Sequence, residues 1–130
     1  MTEERPMRVY IVEDNAILQS RLKEAFSDIP GVQVVGEAVD AASAIKDIDA
    51  LAPHLVTLDL WLKAGSGFDV LRWLGSSQAA RKPECIVLTS HTDFMHREEA
   101  ARLGAAQYLD KARDMPALIE LIAEKARTMA

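Results

Sequence analysis

Four apolar runs each break off into residues able to handle charge. Tyr10-Ile11-Val12 passes into Glu13-Asp14, and Leu55-Val56-Thr57-Leu58 into Asp59. Ile86-Val87-Leu88 passes into Thr89-Ser90, and Tyr108-Leu109 into Asp110-Lys111. Three carboxylates brought close together repel one another unless a cation sits among them. An all-oxygen set made of a few carboxylates and water suits Mg2+ better than zinc. A lysine ammonium and a threonine hydroxyl are the groups that hold the remaining anionic oxygens of a phosphoryl group. Glu13, Asp14, Asp59, Thr89 and Lys111 therefore have the right chemistry for a cation-assisted phosphoryl site, provided the fold brings their positions together.

The elements that must do so are legible as alternation. Short Val/Ile/Leu-rich runs at Met7–Val12, Val32–Ala38, 54–58, 85–88 and 106–109 are too short for helices and read as strands. Between them apolar residues recur at helical spacing. Leu18, Leu22, Ala25, Phe26 and Ile29 form one stripe, and Met115, Leu118, Ile119, Ile122, Ala126 and Met129 another. Asp114 is the expected N-cap of that last helix, with Pro116 in its first turn, and Gly104 is the expected stop of the preceding one. Strict strand–helix alternation with short connections implies an α/β fold, a doubly wound parallel sheet covered by helices on both faces. The first, third and fourth runs are almost wholly apolar, as strands buried on both faces should be, whereas Gln33 and Gln107 mark the second and fifth as edges. That is consistent with order 2-1-3-4-5, one of the two common doubly wound orders, in which ligands bind outside the carboxyl ends of the strands.

Composition agrees and excludes. The chain has 130 residues, 15 basic against 20 acidic, a net charge of −5, and 49% hydrophobic residues. That suits one globular domain, residues 1–130, with 1–6 as a short tail and no output domain. One cysteine, Cys85, supplies no disulfide framework and predicts a small buried hydrophobe. The scattered Lys and Arg argue against nucleic-acid binding. With no long apolar run and no signal-like start, neither membrane insertion nor export is expected, so the expected location is cytoplasmic.

The full constellation resembles the receiver domain of two-component response regulators, across essentially the whole chain. The matching pieces are Glu13-Asp14, Asp59 in Asp59-Leu60-Trp61-Leu62-Lys63-Ala64-Gly65-Ser66-Gly67, Thr89 in Val87-Leu88-Thr89-Ser90, and Lys111 in Tyr108-Leu109-Asp110-Lys111. The resemblance implies a flavodoxin-like (βα)5 fold. It further implies that Asp59 accepts a phosphoryl group from a sensor histidine kinase or a histidine phosphotransfer protein. Asp14, Asp59 and the backbone carbonyl of Trp61 would hold Mg2+, with Glu13 assisting, while Lys111 and Thr89 contact the phosphoryl oxygens. Thr89 and Tyr108 would form the switch pair, Tyr108 moving inward after Thr89. Trp61 and His91 occupy the positions that flank the path of the hydrolytic water, and Trp61 is expected to shield the acyl phosphate. Such a protein is a phosphoacceptor rather than a turnover enzyme, and its output is contact with a downstream protein. Ile17 or Leu18 would face the kinase, and Phe94 and Leu121 are candidates for the output face.

Two departures stand out. The family usually has proline four residues beyond the phosphoacceptor, where this chain has Lys63, and a cis-proline after the lysine, where it has Ala112. A non-proline cis bond costs about 2.5–4 kcal/mol, so a trans Lys111–Ala112 bond is expected, with a consequent risk to the aim of Lys111.

Ordinary readings exist for each residue alone: Asp14 as a helix cap, Asp59 and Thr89 as turn formers, Lys111 as a solvated loop residue, Tyr108 as a packing ring. None predicts polar residues at four strand ends together. A dehalogenase-type phosphatase would need a second aspartate where Trp61 stands, and a flavodoxin a Ser/Thr/Gly-rich loop where Glu13-Asp14-Asn15-Ala16 stands. A receiver-shaped scaffold that acts without phosphorylation is the remaining alternative.

Overall fold

The computed structural model describes residues 5–76 and 82–129; residues 1–4 of the expected tail lie outside them. Strands and helices alternate throughout: β1 (Met7–Val12), α1 (Ala16–Ser27), β2 (Val32–Ala38), α2 (Ala41–Leu51), β3 (Leu55–Leu58), α3 (Gly67–Gly75), β4 (Glu84–Thr89), α4 (Phe94–Arg102), β5 (Gln107–Asp110) and α5 (Met115–Met129). All pairings are parallel and the order is β2-β1-β3-β4-β5, with the second and fifth strands at the edges as the run compositions suggest.

Period-2 alternation divides the core between two faces. Met7, Val9 and Ile11 of β1, Leu55 of β3 and Ile86 and Leu88 of β4 pack with Leu22 and Phe26 of α1 and Leu118, Ile122 and Ala126 of α5. Tyr10 and Val12, Val56 and Leu58, and Cys85 and Val87 face the other way, against α2, α3 and α4. Trp73 packs at the edge of that second cluster, and Cys85 is buried in it, both as expected. The first stripe is broken at its end: α1 stops at Ser27, and Ile29 enters the same core from the following turn.

Hydrogen bonding, more than hydropathy, sets where strands stop. The β4–β5 ladder pairs Thr89 with Asp110, so both strands extend one residue into polar sequence beyond the apolar runs. β3 starts at Leu55 rather than His54, whose backbone N–H donates to Arg8 at 2.9 Å.

Helix starts are capped at the sheet's carboxyl edge. Asn15 accepts from Leu18 N–H, Asp40 from Ser43 N–H and Asp93 from His96 N–H, and Ser66 and Asp69 form a reciprocal capping box. Asp114 precedes α5 as expected, but its carboxylate reaches back to the Asp110 N–H at 2.8 Å. Gly104, at φ +103°, ends α4 in the left-handed region.

Tyr10 is a fully buried aromatic residue of β1 with a polar tip. Its ring lies over Gly36 of β2, where an added Cβ would approach it to 3.0 Å, and its hydroxyl donates to Asp47 of α2 at 2.7 Å. Thr57 has no such outlet: among the described residues its hydroxyl is the buried side-chain polar atom without a partner. Thr57→Val is therefore expected to raise stability by about 1 kcal/mol, read as a higher urea midpoint at unchanged slope. A lowered midpoint would mean that the hydroxyl is satisfied in solution.

Candidate functional site

Strand order brings the predicted residues to one edge. Glu13 leaves β1 still hydrogen-bonded to the sheet, its N–H donating to Ala38 at 3.0 Å, and Asp59 leaves β3 in the same way, donating to Val12 at 3.0 Å. Both are buried in spite of their charge, Glu13 at 1% and Asp59 at 5% exposure. Asp14 is half-buried beside them. The cap of α1 is Asn15, not Asp14, so the ordinary reading of Asp14 as a helix cap fails and its carboxylate is left for the site. One carboxylate oxygen from each of Glu13, Asp14 and Asp59 lies within 4.8 Å of the others.

Lys111 comes from the far side of the sheet and closes the site. Its ammonium lies 2.7 Å from Asp59 Oδ2 and 2.9 Å from Glu13 Oε1. Burial draws its pKa down, but the hydrogen bonds and charges of Asp59 and Glu13 outweigh that and hold it above the ordinary lysine value. Burial pushes Glu13 up against the opposing pull of Lys111 and the Asn15 N–H. One ammonium offsets one of three carboxylates, and the two charges left over are what a divalent cation would neutralise. Two buried carboxylates and a third within ligand range, with only oxygen donors, fit a hard ion.

Both missing prolines have a structural reason. Lys63 donates its N–H to Val39 at 3.0 Å, and Ala64 accepts from Ala41 N–H at 3.0 Å, which stitches the loop after Asp59 to the β2–α2 connection. Proline at 63 would have no N–H to donate. After Lys111 the turn is made by the Asp110 side chain, which accepts from Ala112 N–H at 2.7 Å and Arg113 N–H at 3.2 Å. No cis bond is present among the described residues, and Lys111 is nonetheless aimed at Asp59.

Thr89 is fully buried at the end of β4, and its hydroxyl accepts the His91 N–H at 3.2 Å. Tyr108 lies inward, at 9% exposure, and its hydroxyl donates to the carbonyl of that same His91, while Arg97 covers its ring at 4.9 Å. Trp61, 41% exposed, stands edge-on against His91 at 4.9 Å and His96 at 5.4 Å, and Phe68 stacks on His96 at 6.1 Å. His54 is at the other end of the sheet, its Nδ1 accepting the Arg8 N–H.

A family model described as the response regulator receiver domain matches residues 9–123. The chain belongs to the response regulator receiver family. Its relatives include protein-glutamate methylesterase/protein-glutamine glutaminase 2 of Koribacter versatilis, 32% identical over 92% of this chain and 33% of that protein. Protein-glutamate methylesterase/protein-glutamine glutaminase 5 of Myxococcus xanthus is 36% identical over 85% of this chain and 32% of that protein. The receiver thus spans about a third of the length of these relatives. Among solved structures, the response regulator domain of Thermotoga maritima CheB superposes with a TM-score of 0.82 at 26% identity, covering 96% of each chain. Receiver domains of this family are signalling modules that accept phosphate from histidine kinases or phosphotransfer proteins, and they generally bind Mg2+ at an acidic pocket. No described helix is long and apolar enough to cross a membrane.

The receiver's surface candidates divide. Ile17 and Phe94 are 68% and 69% exposed, with Met95 beside Phe94 at 78%. Leu18 and Leu121, in contrast, are partly buried and packed against the α1/α5 core. Sequence reasoning missed the turn-forming role of Asp110, the contacts of His96 and Phe68 with the Trp61 cluster, and Gln19 beneath the acidic loop. Asn15 carried a usable signal, being a strong cap former one residue nearer the helix than Asp14.

Proposed function

We propose that Asp59 is the phosphoacceptor of this receiver. A carboxylate oxygen of Asp59 attacks the phosphorus of a phosphohistidine on a histidine kinase or phosphotransfer protein; the new O–P bond forms as the N–P bond breaks, and the imidazole leaves. The observation that carries this reading is the Lys111 ammonium, held 2.7 Å from Asp59 at the mouth of a buried carboxylate cluster. Glu13, Asp14, Asp59 and the Trp61 carbonyl would hold Mg2+, which offsets the repulsion between the attacking carboxylate and the incoming phosphoryl group. Lys111 holds a phosphoryl oxygen, and Thr89 turns its hydroxyl toward another.

The switch follows from one shared residue. Thr89 accepts from the His91 N–H and Tyr108 donates to the His91 carbonyl, so a Thr89 hydroxyl that rotates toward phosphate releases one of the two ties on that loop. Phosphorylation adds about −1.5 to −2 charge, which favours whichever packing serves it better. The output is protein contact, with Ile17 next to the acidic pair as the kinase-facing position and Phe94 as the output-facing one. Cytoplasmic residence follows from that chemistry and its partners.

Trp61, braced by His91 and His96, shields the acyl phosphate from water. Trp61→Asn should hasten loss of the phosphoryl group several-fold in a single-turnover decay experiment. An unchanged decay rate removes the shielding role.

The direct test of the whole reading is incubation with Mg2+ and a small phosphodonor, followed by mass mapping of the modified residue, with beryllofluoride and tryptophan fluorescence as a second readout. Modification at Asp59 that requires Mg2+ is expected. Absence of labelling together with no Mg2+-dependent fluorescence change would sink it.

A further inference from the structure

We infer that Gln19 is a positioning residue for the metal-binding loop, acting through the peptide that joins Glu13 to Asp14; the inference rests on the phosphoacceptor reading above. Gln19 lies in the first turns of α1, its backbone N–H donating to Asn15 at 2.8 Å. From there its side-chain amide nitrogen donates to the Glu13 carbonyl at 2.9 Å and to the Ala38 carbonyl at 3.2 Å. Both partners are pure acceptors, so the chemistry dictates that the nitrogen, not the oxygen, faces them.

The Ala38 carbonyl also receives the Glu13 N–H. Glu13 is therefore gripped on both sides of its backbone: its N–H by the end of β2, its carbonyl by Gln19. That carbonyl belongs to the same rigid plane as the Asp14 N–H and Cα, so holding it fixes the point and the axis about which the Asp14 side chain can swing.

This matters because the two acidic residues are secured differently. The Glu13 carboxylate is held by Lys111 and by the Asn15 N–H at 3.0 Å. No hydrogen bond or ion pair holds the Asp14 carboxylate among the described residues. Its place within 4.8 Å of Glu13 and Asp59 depends on the backbone beneath it, and Gln19 is the side chain that fixes that backbone. A carboxylate that must be found by the ion in one of several directions binds it more weakly than one already aimed.

Gln19→Met keeps the length of the side chain and removes both donors, and Gln19→Leu repeats the removal with a different shape. Mg2+ titrations of each variant and of the unaltered chain, followed by intrinsic tryptophan fluorescence and by calorimetry, give the dissociation constant. Thermal unfolding without Mg2+ gives the purely structural effect. Both variants are expected to bind Mg2+ about tenfold more weakly while melting within a few degrees of the parent. Dissociation constants within twofold of the parent overturn the inference and leave Gln19 a simple helix–strand tie. If the unaltered chain binds no Mg2+ by either measure, the phosphoacceptor reading fails first and this one with it.

Discussion

Lys111→Met is expected to lower stability by about 3 kcal/mol at neutral pH in the absence of divalent ions, and to reduce labelling of Asp59 by about 100-fold. The Lys111 side chain is 19% exposed, and its ammonium contacts two carboxylates that are almost wholly buried. Removing it leaves Glu13 and Asp59 facing each other with no counter-charge, which places the cost at the lower end of that for a broken buried pair. Added Mg2+ should recover part of the stability but not the labelling, because a phosphoryl oxygen still lacks its cation. The pH dependence has a definite sign. The pKa of Lys111 is raised above 10.5 in the folded chain, so its contribution is complete below that value and is lost as pH rises through the raised one. Urea unfolding of parent and variant should converge at strongly alkaline pH. A difference under 1 kcal/mol at pH 7 would mean that the two carboxylates are compensated by something other than Lys111.

Gly67→Ala should be as damaging for a reason unconnected with charge. Gly67 opens α3 against the backbone of Asp59, the proposed phosphoacceptor, and a Cβ there would lie 2.4 Å from the Asp59 carbonyl oxygen and 3.0 Å from the Leu60 Cα. Both neighbours are backbone and cannot swing away. Gly67 cannot retreat either, since its N–H donates to the Leu60 carbonyl at 2.9 Å. The expected cost is about 3 kcal/mol or more, with weaker Mg2+ binding because the displaced atoms belong to Asp59 itself. Gly75, at the other end of the same helix, supplies the control. A Cβ there meets nothing within 4 Å among the described residues, so Gly75→Ala should be neutral or stabilise by up to about 1 kcal/mol. Equal effects at the two positions, read from urea midpoints, would contradict the packing described here.

Much of this was legible in the one-dimensional pattern. Apolar runs of strand length, the polar interruptions at Gln33 and Gln107, and the abrupt change to Glu13-Asp14, Asp59, Thr89 and Lys111 pointed to the two edge strands and to the end of the sheet at which chemistry would sit. Hydropathy and element length are properties of the sequence, and a parallel sheet with both faces covered leaves few other arrangements. The limits of the strands were less legible, because Thr89 and Asp110 are held by ladder hydrogen bonds that hydropathy does not register.

Other features depended on which atoms meet across the fold. The missing proline after Lys111 read as a risk to the site, yet Asp110 turns the chain in its place, a contact decided by side-chain geometry. Leu121, a candidate for the output face, is partly buried against the α1/α5 core, since α5 is covered over a wider arc than its main stripe. The grip of Gln19 on the Glu13–Asp14 peptide joins α1, β1 and β2 and has no signature in spacing. Residue types and their order were thus enough to point to the receiver family and fold and to propose which residues carry its chemistry. How tightly each carboxylate is aimed was settled only by long-range contacts, because hydrogen bonds and close backbone approaches act over a few ångströms between segments that lie far apart in sequence.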